Sequence, residues 1–496
     1  MNQARPSSTS DPELTRSRRR LVLAICCMSL LIVGLDNTIV NVALPSIGRE
    51  LHASVSALQW TVDAYTLVLA SLLMLAGSMG DRLGRRRVFL TGLLLFTLAS
   101  LLCSAAPSLG WLIAFRALQA VGGSMLNPVA MSIIRNVFTD PRERAQAIGM
   151  WGATVGLSLA LGPVLGGVLV QVVDWRAIFW INIPVGLLAF ALTMRFVPES
   201  RAPHPRRLDP IGQGLVIVLL GSLTYAIIEA PAAGWLSTRI VGLFVLAALA
   251  LAALVPYELR RFEPLLEPRF FRSVPFSGAS VIAVCAFAAL GGFLFVNTLY
   301  LQDIRHLSAL KAGLYTLPIA AMTLIFAPLS GRIVGRRGPR IALLAGGVGI
   351  MLGGLLLTGV EASTPLASLL PAYFVFGIGF GMVNPPITNT AVLGMPGAQA
   401  GVAAAVASTS RQVGQTLGVA VAGAIAAAGA FTVGPGFVQA SHTVWWLLAG
   451  CGMAIVLLGL ISTTAWANAS ARRPSPPMPG SAGDQRAVAS GGLGGV

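Results

Sequence analysis

The chain has 496 residues, 55% of them hydrophobic and only 10% charged; a soluble domain carries roughly 25% charge, so a water-soluble globular protein is excluded. The formal net charge of +16 would suit a nucleic-acid partner, but the arginines sit in short clusters between apolar runs: Arg18-Arg19-Arg20, Arg85-Arg86-Arg87, Arg206-Arg207, Arg260-Arg261 and Arg336-Arg337. That alternation is the positive-inside pattern of a polytopic membrane protein, whose partner is a lipid bilayer and not nucleic acid.

In chain order, apolar runs of about 20 residues, each able to cross some 30 Å of hydrocarbon, predict fourteen helices. They lie near 21–44, 58–77, 88–106, 110–132, 146–170, 178–197, 211–229, 239–257, 275–300, 309–330, 341–360, 367–390, 402–427 and 443–466. The first run is too long for a signal-peptide core and no small-residue cleavage site follows it, so it is expected to stay as a helix behind a cytoplasmic segment, residues 1–20. The arginine-rich connections at 81–87, 135–144, 195–207, 258–272 and 332–340 then fall on the cytoplasmic side, and both termini with them. The last residues, 467–496, are rich in Pro, Gly, Ser and Ala and are expected to be a disordered cytoplasmic tail.

The chain repeats itself. Gly77-Ser78-Met79-Gly80-Asp81-Arg82-Leu83-Gly84-Arg85-Arg86 closes the second predicted helix, and Gly331-Arg332-Ile333-Val334-Gly335-Arg336-Arg337-Gly338-Pro339-Arg340 closes the tenth, with glycines and basic residues in register. Two parallel halves follow, as in transporters built from repeats. The expected fold is an all-α membrane protein on a 6+2+6 plan: a six-helix half over 21–197, two linker helices within 198–272, and a second six-helix half over 273–466.

Ionisable residues inside a membrane are costly and mark function. Only Asp36 and Asp63 among the acids fall well inside predicted helices, with Glu229 at the end of the seventh. Arg116, on the fourth, comes to the same depth, so the three are expected to cluster in the first half. An arginine near a buried carboxylate favours its charged form and burial alone disfavours it; separating such a pair would switch the carboxylate between releasing and holding a proton. Asp36 is the expected main protonation site, tuned by Arg116 and assisted by Asp63; the alternative is a static salt bridge that orients the helices. None of the four histidines, His52, His204, His306 and His442, falls in a predicted helix, so a histidine relay is not expected. The five cysteines all lie in apolar runs and read as core residues, without a metal site. There is no phosphate-binding Gly-x-x-x-x-Gly-Lys loop and no nucleophile–base set, so neither ATP-driven transport nor an enzyme is expected.

Asp81 with Arg82, Arg85 and Arg86 puts an acid among guanidiniums at the cytoplasmic face, where it either pairs with an arginine or caps a helix N-terminus. Pro163, in Gly162-Pro163-Val164-Leu165-Gly166-Gly167, removes a backbone hydrogen bond deep in an apolar helix, and the glycines permit close helix approach. The expected result is a tight seam that limits proton leakage. A substrate cavity is mostly apolar with a few polar groups; its candidates are Asn41, Trp60, Tyr65, Gln119, Trp151, Asn297, Tyr300, Tyr315, Tyr373, Asn384, Asn389 and the intramembrane Arg411.

These segments resemble the major facilitator superfamily, and within it the fourteen-helix drug:proton antiporter group. Gly77–Arg87 is similar to the superfamily's signature between helices 2 and 3. Leu35-Asp36-Asn37-Thr38-Ile39-Val40-Asn41-Val42-Ala43-Leu44-Pro45 is similar to the helix 1 motif, and Arg116-Ala117-Leu118-Gln119-Ala120-Val121-Gly122-Gly123 to the helix 4 motif. Gly162–Gly167 resembles the antiporter motif of helix 5, and Asp174-Trp175-Arg176 with Phe179-Trp180-Ile181-Asn182-Ile183-Pro184 resembles the start of helix 6. Small residues, Ala120 and Ser158, stand where the group usually has glycine. The resemblance implies a functional monomer in a bacterial inner membrane that exports lipophilic small molecules (drugs, dyes or a natural product) by alternating access. It also implies a gating role for Gly77, Asp81, Arg82, Gly84, Arg85 and Arg86, and a proton gradient as the drive in place of any cofactor. The alternative function is a facilitator or symporter that imports a metabolite.

Overall fold

The computed structural model of the chain describes residues 15–202, 207–261, 263–393, 397–429 and 435–471. Among these residues there is no strand. The α-helices are α1 (Arg16–Glu50), α2 (Val55–Leu83), α3 (Arg85–Ser104), α4 (Leu109–Val137), α5 (Pro141–Val172), α6 (Ala177–Trp180), α7 (Asn182–Phe196) and α8 (Pro210–Ala233). They continue with α9 (Thr238–Arg260), α10 (Val274–Leu299), α11 (Ala309–Arg337), α12 (Arg340–Leu357), α13 (Leu370–Ala391), α14 (Gly397–Gly429), α15 (Pro435–Ser462) and α16 (Ala465–Ala471). Thirteen segments are long and apolar enough to cross a membrane, α6 and α7 counting as one of them. The 33-residue α14 is a fourteenth candidate. The chain is a multi-pass membrane protein.

Every expected helix is present, and most run further than hydropathy alone marks, because their polar ends continue the same backbone beyond the apolar run. Three of these helices change the reading of particular residues. His442, expected in a connection, lies inside α15, which starts at Pro435; proline is pre-set for a helix start, and the His442 Nε2 sits 2.8 Å from the Val360 carbonyl oxygen. Glu258, expected in a basic connection, is in the last turn of α9 and only 1% exposed, so Asp36 and Asp63 are not the only buried helical acids. The sixth expected helix is broken at Ile181, where Pro184 has no N–H to continue the ladder. Of the expected tail, 467–496, the first five residues are not disordered but belong to α16 (Ala465–Ala471), and His204 and residues 472–496 lie outside the described residues.

The Gly77–Arg87 segment, expected as a connection, is helical apart from one residue: α2 runs to Leu83 and α3 starts at Arg85. Gly84 makes the whole turn with φ +114°, and Gly338, its counterpart in the repeat, does the same with φ +78° between α11 and α12. A Cβ on Gly84 would also lie 2.7 Å from Glu199 Oε1. Gly84→Ala is therefore expected to cost about 1–3 kcal/mol, the scale of a residue forced into a sparse backbone region, read as a lowered melting temperature of purified protein in detergent.

The helices pack in two groups. In the first, α1 lies on α5, α4 lies between α2 and α3, and α7 covers α3 and α1. In the second, α10 packs on α14 and α15, and α12 and α13 pack on each other and on α15 and α11 respectively. Backbone-to-backbone approach is close where glycines sit: a Cβ on Gly349 would lie 2.6 Å from the Gly379 Cα, and one on Gly353 3.0 Å from the Phe376 Cα. Helices α8 and α9 form a hairpin against α2 and α14, pinned to α2 by Gln213 Nε2 donating to the Ser71 carbonyl (2.6 Å) and Trp60 Nε1 donating to Glu229 (3.0 Å).

Candidate functional site

The centre of the first group holds an ion pair sealed from solvent. Asp36 is 0% and Arg116 1% exposed, and Arg116 Nη1 donates to Asp36 Oδ2. The other carboxylate oxygen accepts from Gln119 Nε2 at 2.9 Å and Asn182 Nδ2 at 3.0 Å. Gln119 also accepts from Arg116 Nη1 at 2.6 Å and donates to Ser100 Oγ at 2.8 Å. The guanidinium is completed by Nε donating to the Thr61 carbonyl at 3.2 Å and by the Tyr65 ring, whose centroid lies 4.3 Å from Cζ. Five helices, α1, α2, α3, α4 and α7, thus converge on one charge pair. Such a pair holds only when its remaining hydrogen-bonding capacity is met, which is what Gln119, Asn182 and Thr61 do here.

Asp63 does not join this pair. It is 0% exposed on α2, its Oδ1 accepts from Thr66 Oγ1 at 3.3 Å, and its Oδ2 has no donor among the described residues. Thr66 in turn accepts from Thr416 Oγ1 of α14 at 2.9 Å, so Asp63 is one hydroxyl away from the second helix group.

The two groups meet at one end. Between α2 and α14, Gln59 Nε2 donates to the Val419 (3.2 Å) and Ala420 (2.8 Å) carbonyls. Gln302 Nε2 donates to the Val42 carbonyl (2.8 Å), and Arg49 faces Asp303 at 3.9 Å. Between α5 and α11, a Cβ on Gly167 would lie 2.6 Å from the Leu310 Cα, and one on Gly313 would strike the Pro163 carbonyl. Further along, a Cβ added to Gly149 or Gly152 of α5, or to Gly331 or Gly335 of α11, would meet nothing within 4 Å. The groups are therefore closed at the end bearing the 301–308 connection and parted at the end bearing the Gly84 turn.

The Gly162–Gly167 segment accordingly has two faces. Gly162 and Gly166 seat α5 on Thr38 and Ile39 of α1, within the first group, whereas Pro163 and Gly167 form the contact with α11.

Around the Gly84 turn, Asp81 Oδ1 accepts from Arg85 Nε (3.1 Å) and Nη2 (2.8 Å). It pairs and does not cap; the start of α3 is capped by Glu199 Oε1, which accepts from the Arg86 N–H at 3.1 Å, while the Ser200 carbonyl accepts from the Arg85 N–H at 2.9 Å. Arg86 Nη2 reaches the Met194 carbonyl, and Arg82 is exposed.

The cavity candidates divide. Asn41, Tyr65, Gln119, Asn297, Tyr300 and Tyr373 are buried; Tyr373 donates to Asn297 Oδ1 at 2.5 Å and Tyr300 to the Glu361 carbonyl at 2.7 Å. Trp60 faces the α8–α9 hairpin, and Tyr315 packs against the core. Trp151, Asn384 and Arg411 are half-buried and Asn389 is exposed. Gln59, Ser100, Gln302, Thr66 and Thr416 are not among the residues expected from the sequence. Gln59 carries a signal that could have found it: an amide inside an apolar helix must find partners on another helix.

Two helix groups that meet at one end and part at the other, around buried charge, define the transporter class of polytopic membrane proteins. The chain belongs to the major facilitator superfamily, whose family profile matches residues 26–419. It is 37% identical over 408 residues to the multidrug resistance protein Stp of Mycobacterium tuberculosis, covering 82% of this chain and 76% of that protein. It is also 37% identical over 417 residues to the tetracenomycin C resistance and export protein of Streptomyces glaucescens, covering 83% and 77%. A solved structure of a bacterial homologue of the human lysosomal transporter Spinster superposes with a TM-score of 0.63 at 16% identity, covering 93% of this chain and all of that one.

Proposed function

We propose that the protein is a proton-coupled antiporter that exports lipophilic small organic molecules from a bacterial cell by alternating access. The observation that carries this reading is the buried Asp36–Arg116 pair and the path leading from it. Protonating Asp36 cancels its charge attraction for Arg116 and weakens the hydrogen bonds it accepts from Gln119 and Asn182, which loosens α1 against α4 and α7. The same stretch of α1 presents Thr38 and Ile39, the seat of Gly162 and Gly166, so a proton at Asp36 is felt at the α5–α11 seam. Asp63, through Thr66 and Thr416, reaches the α2–α14 seam in the same way. The resistance and export names of the relatives, at 37% identity, support the export direction.

In this reading the architecture is 6+2+6, with α1–α7 (21–197) and α10–α15 (273–466) as the moving halves and the α8–α9 hairpin (198–272) between them. The chain works as a monomer in the inner membrane with both termini cytoplasmic, and the proton gradient replaces any cofactor. The arginine-rich Gly84 turn then faces the cytoplasm, the parted end opens inward, and the Asp81–Arg85 pair belongs to the cytoplasmic gate.

The test is lumen alkalinisation in acid-interior everted vesicles on adding compounds from a dye and antibiotic panel. Wild type is expected to release protons with at least one compound, and Asp36→Asn to lose that response at equal expression. A normal response in Asp36→Asn removes Asp36 from coupling, and a wild type silent to the whole panel removes the antiport reading.

A further inference from the structure

We infer that the site takes lipophilic substrates bearing an ionised acidic group, held by Arg411; this rests on the export reading and names its substrate class. Arg411 lies in α14 (Gly397–Gly429), within the apolar run expected to cross the membrane at 402–427. Its Nη2 donates to Thr388 Oγ1 of α13 at 2.5 Å, and its Nε has no acceptor among the described residues. No carboxylate pairs with it there, in contrast to Arg116. A guanidinium inside a membrane span is costly, and such groups face the bundle interior or a watered cavity, not lipid. Arg411 is half-buried, so part of its surface is open.

What surrounds it fits an aromatic anion. Phe287 of α10 stands 5.9 Å from the guanidinium and packs edge-on against Phe380 of α13, with ring centroids 5.2 Å apart. Asn384, one turn before Thr388, is also half-buried. The acids of this helix group, Asp303 and Glu361, sit at the opposite, closed end of α10 and α12. A planar guanidinium grips a carboxylate, phenolate or enolate in two-pronged fashion, the rings hold an apolar body, and no carboxylate of this helix group stands beside Arg411 to pair with a cation.

The experiment uses two probes with one ring system, anthracene-2-carboxylate and 2-(aminomethyl)anthracene, titrated into purified full-length protein by fluorescence. The carboxylate is expected to bind at least about tenfold more tightly than the ammonium, a difference of about 1.4 kcal/mol. Arg411→Gln should erase that preference with an unchanged melting temperature, and Arg411→Lys should keep part of it. Equal or tighter binding of the ammonium by wild type overturns the inference, and this comparison stands even if the variants fail to fold. Unchanged carboxylate binding in Arg411→Gln also overturns it. Proton exchange in vesicles with a cationic dye, indifferent to Arg411→Gln, keeps the export reading and sinks this one; Arg411-dependent carboxylate binding without proton exchange does the reverse.

Discussion

Arg116→Met is expected to be the most damaging single substitution in the protein, lowering stability by about 3–5 kcal/mol, the cost of leaving one partner of a buried pair alone, and abolishing transport. The reason is geometric. Asp36 is 0% exposed, and without Arg116 only the amides of Gln119 and Asn182 would address it, both on the same oxygen. Methionine keeps the packing under Tyr65 and removes only the charge and its donors. The double variant Asp36→Asn with Arg116→Met should recover much of the lost stability, because no buried charge is left over, while transport stays absent. Thermal denaturation in detergent and vesicle transport read the two effects separately. If Arg116→Met melts with wild type, the pair is not holding the helices; if the double variant still couples proton and substrate movement, the pair is not the switch.

How much of this was legible in the sequence differs from feature to feature. The fourteen helices were, because a span needs a run of apolar residues whatever its neighbours do. So was the meeting of Asp36 with Arg116: two opposite charges at one depth in hydrocarbon have few alternatives to each other. Asp63, at a similar depth, was expected beside them, and depth alone could not tell that its side chain points toward Thr66 and the second group. Rotation about a helix axis is set by packing, which hydropathy does not record. The same limit explains Tyr65, Gln119, Asn297 and Tyr373, polar side chains that read as cavity lining but are buried in helix contacts, Tyr65 under the Arg116 guanidinium, Gln119 bonded to Arg116, and Tyr373 bonded to Asn297. Glu258 and His442 were missed for a different reason, since a helix does not stop where its apolar run stops.

Gly167→Val is expected to shift the conformational equilibrium where Gly166→Val lowers stability, although the two glycines are neighbours in one motif. A side chain at Gly166 would meet Ile39 Cγ1 at 2.7 Å, on a helix of its own group, and that contact is kept whichever way the groups rock. A side chain at Gly167 would meet the Leu310 backbone at 2.6 Å, across the seam, and that contact exists only while this end is closed. Overpacking of this kind costs about 1–3 kcal/mol. Acting on both states it is lost stability; acting on one state alone it moves the population by roughly 5- to 150-fold. Spin labels at Gly152→Cys and Gly331→Cys, positions where a side chain meets nothing on the parted side, would report the shift in a background freed of native cysteines. The distance between them should shorten in Gly167→Val and stay at the wild-type value in Gly166→Val, while substrate transport falls in both. Unchanged distances in Gly167→Val would mean that the α5–α11 contact does not set the balance between states, and the motif would then be packing alone.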